Sequence, residues 1–193
     1  IFILFKKGYD LVNNRLFIIG NGFDLSHDLP TKFDPNFKDI AGKNEPIPYF
    51  WEIYQSQEVD IWSDFENLLA QPDFNELEQI FEGYHPDYLS DRESDRDAII
   101  TQVDLNGNLI PSLYEFANEA EAELIKVAAV PSNIELFNTE DLFVNFNYTH
   151  TLEKVYGIQA NKVLHIHGEV GKNNLILGYP EGDFSPGKYQ YDV

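Results

Sequence analysis

The chain has 193 residues, 43% hydrophobic and 15% aromatic, enough to bury one sizeable core, so a single domain is the default. Thirteen basic against 33 acidic residues leave a formal charge of −20, which repels nucleic acid and anionic lipid and argues against both as partners. Cysteine is absent, which excludes disulfides, thiolate metal ligands and a cysteine nucleophile and suits a reducing, cytoplasmic setting.

In chain order, Ile1 to Phe5 is apolar but far too short to span a bilayer, and its lysines follow it instead of preceding it. Residues 1–14 are expected to form a leader ahead of the domain. Methionine is absent, the initiator included, and "SPGKYQYDV" closes without a capping or strand-ending signal, so the native chain is expected to continue beyond one or both ends.

The first expected strand is Leu16 to Ile19, which opens into Gly20-Asn21-Gly22 and the start of a helix. Such a loop usually offers backbone N–H groups to a phosphate. Asp24 in the first helical turn would occupy the same positive end. Its ordinary reading is an N-cap, and its functional reading is a carboxylate that faces sugar hydroxyls.

From about residue 46 to 130 the pattern is helical. "PYFWEIYQS", "IWSDFENLLA", "DFNELEQIFEGY" and "PSLYEFANEAEAELIKVAAV" carry apolar residues at three- and four-residue steps. Asp73 and Pro111 are expected helix starts, Pro111 at the first helical position. Tyr84 to Asp97 is polar enough for a mobile loop, and "VDLNGNL" holds an Asn-Gly turn signal. Trp62 is expected in the core, and Asp64, Glu66 and the scattered acidic runs on a solvated face.

Three further apolar runs come late: Leu142 to Phe146, Val163 to Ile166 and Leu175 to Leu177. Between the first two, Leu152, Val155 and Tyr156 share a helical face and Gly157 is the expected stop, a short right-handed crossover between parallel strands. The fold class is therefore α/β, a Rossmann-like and mainly parallel sheet with a large helical insertion between strand one and the later strands.

Ligands of open α/β sheets sit beyond the carboxyl ends of the strands. There the sequence places Gly20, Asn21, Gly22 and Asp24, then Asn145, Asn147, Tyr148 and Thr149, then His165, His167 and Gly168. Asn147 could close an Asx turn. His165 and His167 alternate in phase and are expected on one face. His165 reads as a hydrogen-bonded histidine under a helix, and His167, beside a glycine at the strand end, as functional. His27 and His150 are expected at the surface.

"RLFIIGNGFDLSHDLPTKF", "WSDFENLL", "LFVNFNYTHTLEKVYG", "HIHG" and "LILGYPEGDF", in that order, resemble the bacterial AbiH family of phage abortive-infection proteins. The resemblance runs from Arg15 to the end, a single AbiH-like domain over 15–193, and implies antiviral defence with a phage-derived trigger. A homo-oligomer is compatible with it.

A weaker similarity, to sirtuin-like NAD-consuming domains, rests on the glycine loop, "FNYT" and "HIHG". It implies NAD or a related nucleotide as substrate or ligand, with no metal, and an NAD glycohydrolase-like reaction. His167 would be the base, Asn147 would hold ribose and water, and Asp24 would face the ribose. Gly20, Asn21, Gly22, Tyr148, Thr149, His165 and Gly168 would line the dinucleotide. Asp24 stands where that pattern has a small hydroxyl residue, and Thr149 where it has an acid. Two other classes compete: a metal-dependent phosphoesterase using His165, His167, Asp24 and Asn21, and a non-enzymatic sensor of a nucleotide or phage protein.

Overall fold

The structure, a computed structural model, describes residues 2–5, 15–43, 53–54, 62, 65, 69, 73–82, 97, 105–138 and 140–177. Its sheet has four strands in spatial order β1 (Phe2–Phe5), β2 (Arg15–Ile19), β3 (Leu142–Asn145) and β4 (Val163–His165). β2, β3 and β4 run parallel, with Leu16 opposite Leu142 and Asn145 opposite His165. β1 is antiparallel to β2. The protein is thus mixed α/β, and Phe2–Phe5, read from sequence as part of a leader, extends the sheet.

Alternation along β2 and β3 puts Phe17, Ile19, Phe143 and Asn145 inward. Phe17, Ile19 and Phe143 build a core with Phe23 and Leu152, walled by Phe137 and Tyr156. Phe17 stacks on Phe143 at 5.3 Å and meets Phe137 edge-on at 5.2 Å. Leu142 and Leu164 point outward at 43% and 58% exposure, while Leu16, Ile18 and Val144 on the same face are partly covered.

Between β2 and β3 the described residues include α1 (Gly22–Leu25), a π-turn over Phe33–Phe37 that runs into α2 (Lys38–Lys43), α3 (Phe74–Glu82), α4 (Leu105–Glu123) with a 3-10 turn at Leu124–Lys126, and α5 (Pro131–Leu136). Helical segments thus lie on both sides of residues 46–130 as well as within them. Asp73 caps α3 as expected, accepting from the N–H groups of Asn75 at 2.9 Å and Glu76 at 3.2 Å.

Two readings near α4 are corrected. Asn106 and Gly107 are helical instead of turning, and Pro111 lies inside α4 instead of starting it. Leu109, Ser112, Leu113, Phe116, Ala117 and Ala120 are all buried along this helix, and packing of that stripe outweighs the one backbone bond that proline forgoes. This stripe, with Phe37, Ile40, Phe65 and Leu69, forms the second core, against which Trp62 packs as expected.

Leu175 to Leu177 is not a strand. Leu175 and Leu177 are buried in the helical core, and the backbone between finds other partners: Leu175 N–H donates to the Tyr114 hydroxyl and Ile176 N–H to the His167 carbonyl. Apart from Asp97, which is helical, the segment read as a mobile loop lies outside the described residues, as do Asp64 and Glu66.

The β3–β4 crossover follows the sequence closely. It holds α6 (Thr151–Tyr156), and Gly157 ends it at φ 68°, a left-handed conformation that glycine adopts without strain, donating its N–H to the Glu153 carbonyl at 3.1 Å. No helix among the described residues is long and apolar enough to cross a membrane.

Candidate functional site

Beyond the carboxyl ends of β2 and β3 the ladder continues for one bond each. Phe146 N–H donates to the Ile19 carbonyl and Ile166 N–H to the Asn145 carbonyl, both at 2.9 Å. Val170 N–H then donates to the Tyr148 carbonyl at 2.9 Å, tying the loop after β4 to the turn after β3. This locked rim borders a cleft of about 160 Å³ where the sheet meets α4, lined by Asn21, Asp24, Asn147, Thr149, His167 and an aromatic wall that includes Phe33, Phe116, Phe146 and Tyr148.

Asp24 is fully buried in the middle of α1, and it is not an N-cap: Asn21 holds that position. Its carboxylate instead accepts the hydroxyls of Thr149 at 2.5 Å and Thr151 at 2.7 Å. Burial raises its pKa, and the two hydroxyl donors offset this only in part. The threonine that stands where the sirtuin-like pattern has an acid is thus the partner of an acid supplied by β2's end.

Asn147, 5% exposed, donates its amide to the Gly20 carbonyl at 3.3 Å, and its Oδ1 has no partner among the described residues. The Asx turn exists but is closed two residues earlier, by Asn145 Oδ1 accepting from Asn147 N–H at 3.0 Å. Asn21 donates to the Thr31 carbonyl at 2.7 Å, and the Thr31 hydroxyl beside it is buried without a partner among the described residues. The His167 ring meets Phe146 edge-on at 5.5 Å, and its nitrogens have no hydrogen-bond partner among the described residues.

The two strand histidines do not act together. β4 ends at His165, so the two-residue alternation does not carry to His167. His165 donates Nδ1–H to the Asn147 carbonyl at 3.0 Å and turns Nε2 to Glu153 at 3.1 Å, away from the cleft lining. It is the hydrogen-bonded histidine expected, and it holds the turn that carries Asn147. The phosphoesterase quartet of His165, His167, Asp24 and Asn21 is accordingly not assembled.

The glycines divide. Gly20 and Gly22 have no atom within 4 Å of where a Cβ would stand, so no neighbour demands glycine there. Gly168 does not line the cleft; it sits at φ 82° with the Asn174 carbonyl oxygen 2.1 Å from a Cβ position, so its role is loop closure behind His167.

His27 and His150 are not surface residues. His27, 7% exposed, donates Nδ1–H to the Phe23 carbonyl at 2.7 Å and accepts from the Tyr156 hydroxyl at 2.6 Å. His150 lies between two carboxylates, with Nδ1 2.8 Å from Glu121 and Nε2 2.9 Å from Glu169. Hydrogen bonding to Glu121 drives the His150 pKa up to about 9, and Glu121, despite burial, falls to about 2 against His150 and Lys154. Glu121, Glu153 and Glu169 are therefore not part of a solvated face. For Glu121 a signal existed, since it stands four residues after Ala117 and three before Leu124 on the buried side of α4.

A family described as bacteriophage abortive infection AbiH matches residues 16–192, and the chain belongs to that family. No curated protein and no solved structure matches it.

Proposed function

We propose that this abortive-infection protein acts by binding a nucleotide in the cleft, in a Rossmann-like use of strand ends, and that it hydrolyses the N-glycosidic bond of NAD or a related nucleotide. The observation that carries the reading is the convergence of Asp24, Asn147 and His167, from three distant segments, on one cleft with an aromatic wall. At about 160 Å³ the cleft is smaller than the roughly 300–1,000 Å³ of sites for drug-sized ligands, so it takes the nicotinamide-ribose end and leaves the adenosine half outside. Open backbone at Gly20 and Gly22 lets that half approach, and Asp24 so close to the α1 start argues against a phosphate there.

In this reaction water attacks the ribose C1′, nicotinamide leaves with the bonding electron pair, and the water proton passes to His167. Positive charge builds on the ribose as the bond breaks, and the Asp24 carboxylate, held by two hydroxyls, offsets it. The free Oδ1 of Asn147 orients water or a ribose hydroxyl.

The test is nicotinamide release by the full-length protein, with and without phage infection. Release that His167→Ala abolishes supports hydrolysis. Tight nucleotide binding with no release under any condition moves the protein to the sensor class, and neither binding nor release overturns the reading.

A further inference from the structure

Outside the cleft lining, His150, His165 and Glu169 each bring a ligand atom within 4.8 Å of the other two. They come from the turn after β3, the end of β4 and the loop beyond it. Both histidines commit Nδ1–H to an acceptor inside the protein, His150 to Glu121 at 2.8 Å and His165 to the Asn147 carbonyl at 3.0 Å. Both Nε2 atoms then point at carboxylates, Glu169 at 2.9 Å and Glu153 at 3.1 Å. An outer carboxylate or carbonyl on one nitrogen with the other nitrogen aimed inward is how metal-binding imidazoles are held.

One further observation asks for a cation. The second oxygen of Glu153 is buried and has no partner among the described residues, which is costly for a carboxylate. Glu121, Glu153 and Glu169 gather around the two histidines, and Lys154 at 2.7 Å from Glu121 and Lys172 at 2.6 Å from Glu169 border the cluster.

We propose that His150, His165 and Glu169 bind a divalent first-row transition ion of the zinc type, with a fourth position left to water. Two imidazoles with carboxylates and no thiolate favour such an ion over magnesium or calcium and over copper(I). Ligands at about 2.0–2.2 Å on a tetrahedral ion require a modest contraction of the present spacing. The ion joins the turn after β3, the end of β4 and the following loop, and through His165 it fixes the segment that presents Asn147. It touches no cleft residue, so its role is positioning, and it stands or falls separately from nucleotide hydrolysis.

The test is metal binding by stripped, full-length protein with no nucleotide present. Zinc added to a chromophoric chelator should transfer to one site per chain, and cobalt(II) should give the visible absorption of a four-coordinate ion. Glu169→Gln and His165→Gln should each lower zinc affinity at least tenfold, with Glu121→Gln weakening it 10- to 100-fold from the outer shell. Should a variant fail to fold, the wild-type stoichiometry and cobalt spectrum still decide. No transfer to the wild-type chain, or equal transfer to folded Glu169→Gln and His165→Gln, overturns the site.

Discussion

Asp141 and Asp24 are both fully buried and stand at opposite ends of the parallel strands, yet their surroundings push them in opposite directions. At the amino end, Asp141 accepts from Arg15 Nε at 3.1 Å, Arg15 Nη2 at 2.7 Å and the N–H of Asn138 at 2.7 Å. Burial lifts its pKa, but the guanidinium and backbone donors outweigh burial and hold it below the ordinary 3.8. At the carboxyl end Asp24 has two neutral hydroxyls and no guanidinium, and burial wins. One end of the sheet is built for the fold, and the other keeps a carboxyl group at an energetic disadvantage beside a cleft.

The sharpest way to separate the two ends is His167→Ala. Loss of a positioned base should lower nicotinamide release by about 10²- to 10⁴-fold, while the melting temperature changes little because the ring is half-exposed and has edge contacts only. In phage challenge, protection should fall with it.

Asp141→Asn should do the reverse. Removing one partner of a buried pair costs about 3–5 kcal/mol, and with Arg15 21% exposed the lower end applies. Release per folded molecule should be unchanged. Because the folded pKa is lowered, this stabilisation is present above 3.8 and is lost as pH falls through the folded value, so the gap between wild type and variant in urea melts should close in acid. A gap that persists at low pH would reassign the loss to packing.

Thr149→Val and Thr151→Val each remove one donor from Asp24 and should cost about 1–3 kcal/mol at neutral pH, with a further rise of the Asp24 pKa readable by NMR.

The smallest effect on stability, and the most informative, belongs to Asp24→Asn. A carboxyl group whose folded pKa is raised favours the fold below 3.8 and loses that contribution as pH rises through the folded value. The amide should therefore match or exceed wild-type stability at neutral pH while release drops. A large destabilisation would make Asp24 structural and erase the contrast with Asp141.

Local signals made part of this legible in the sequence. The apolar runs of β2, β3 and β4, α6 with its Gly157 stop and the Asp73 cap each show in a pattern only a few residues long. β1 was not legible as a strand because its partner is supplied by β2. Leu175 to Leu177 misled because alternation reports a buried face and cannot say whether a sheet or, as here, helices bury it. Asp24, Asn147 and His167 could be named because strand ends are where ligands bind, but the thread from Asp24 to Thr149 and Thr151 joins residues about 125 positions apart. His150 looked ordinary for the same reason, since Glu121 and Glu169 reach it from different elements.

The placement of the helical insertion between β2 and β3 bears on how the protein can diversify. Closing the chain between Asp24 and Thr149, against the 18 residues between Asn147 and His165, costs about 1.7 kcal/mol more in loop entropy. Doubling the longer segment would add only about 0.6 kcal/mol. Phe33, Phe116, Ala117 and Ala120, which the insertion contributes to the cleft wall, sit on chain whose length the sheet barely senses. Asn147, Thr149 and His167 sit on the short, register-locked part. Under the proposed reading, selectivity and chemistry fall to segments under different constraint, and a lineage pressed by changing phages can remodel the wall while the rim stays where β3 and β4 put it.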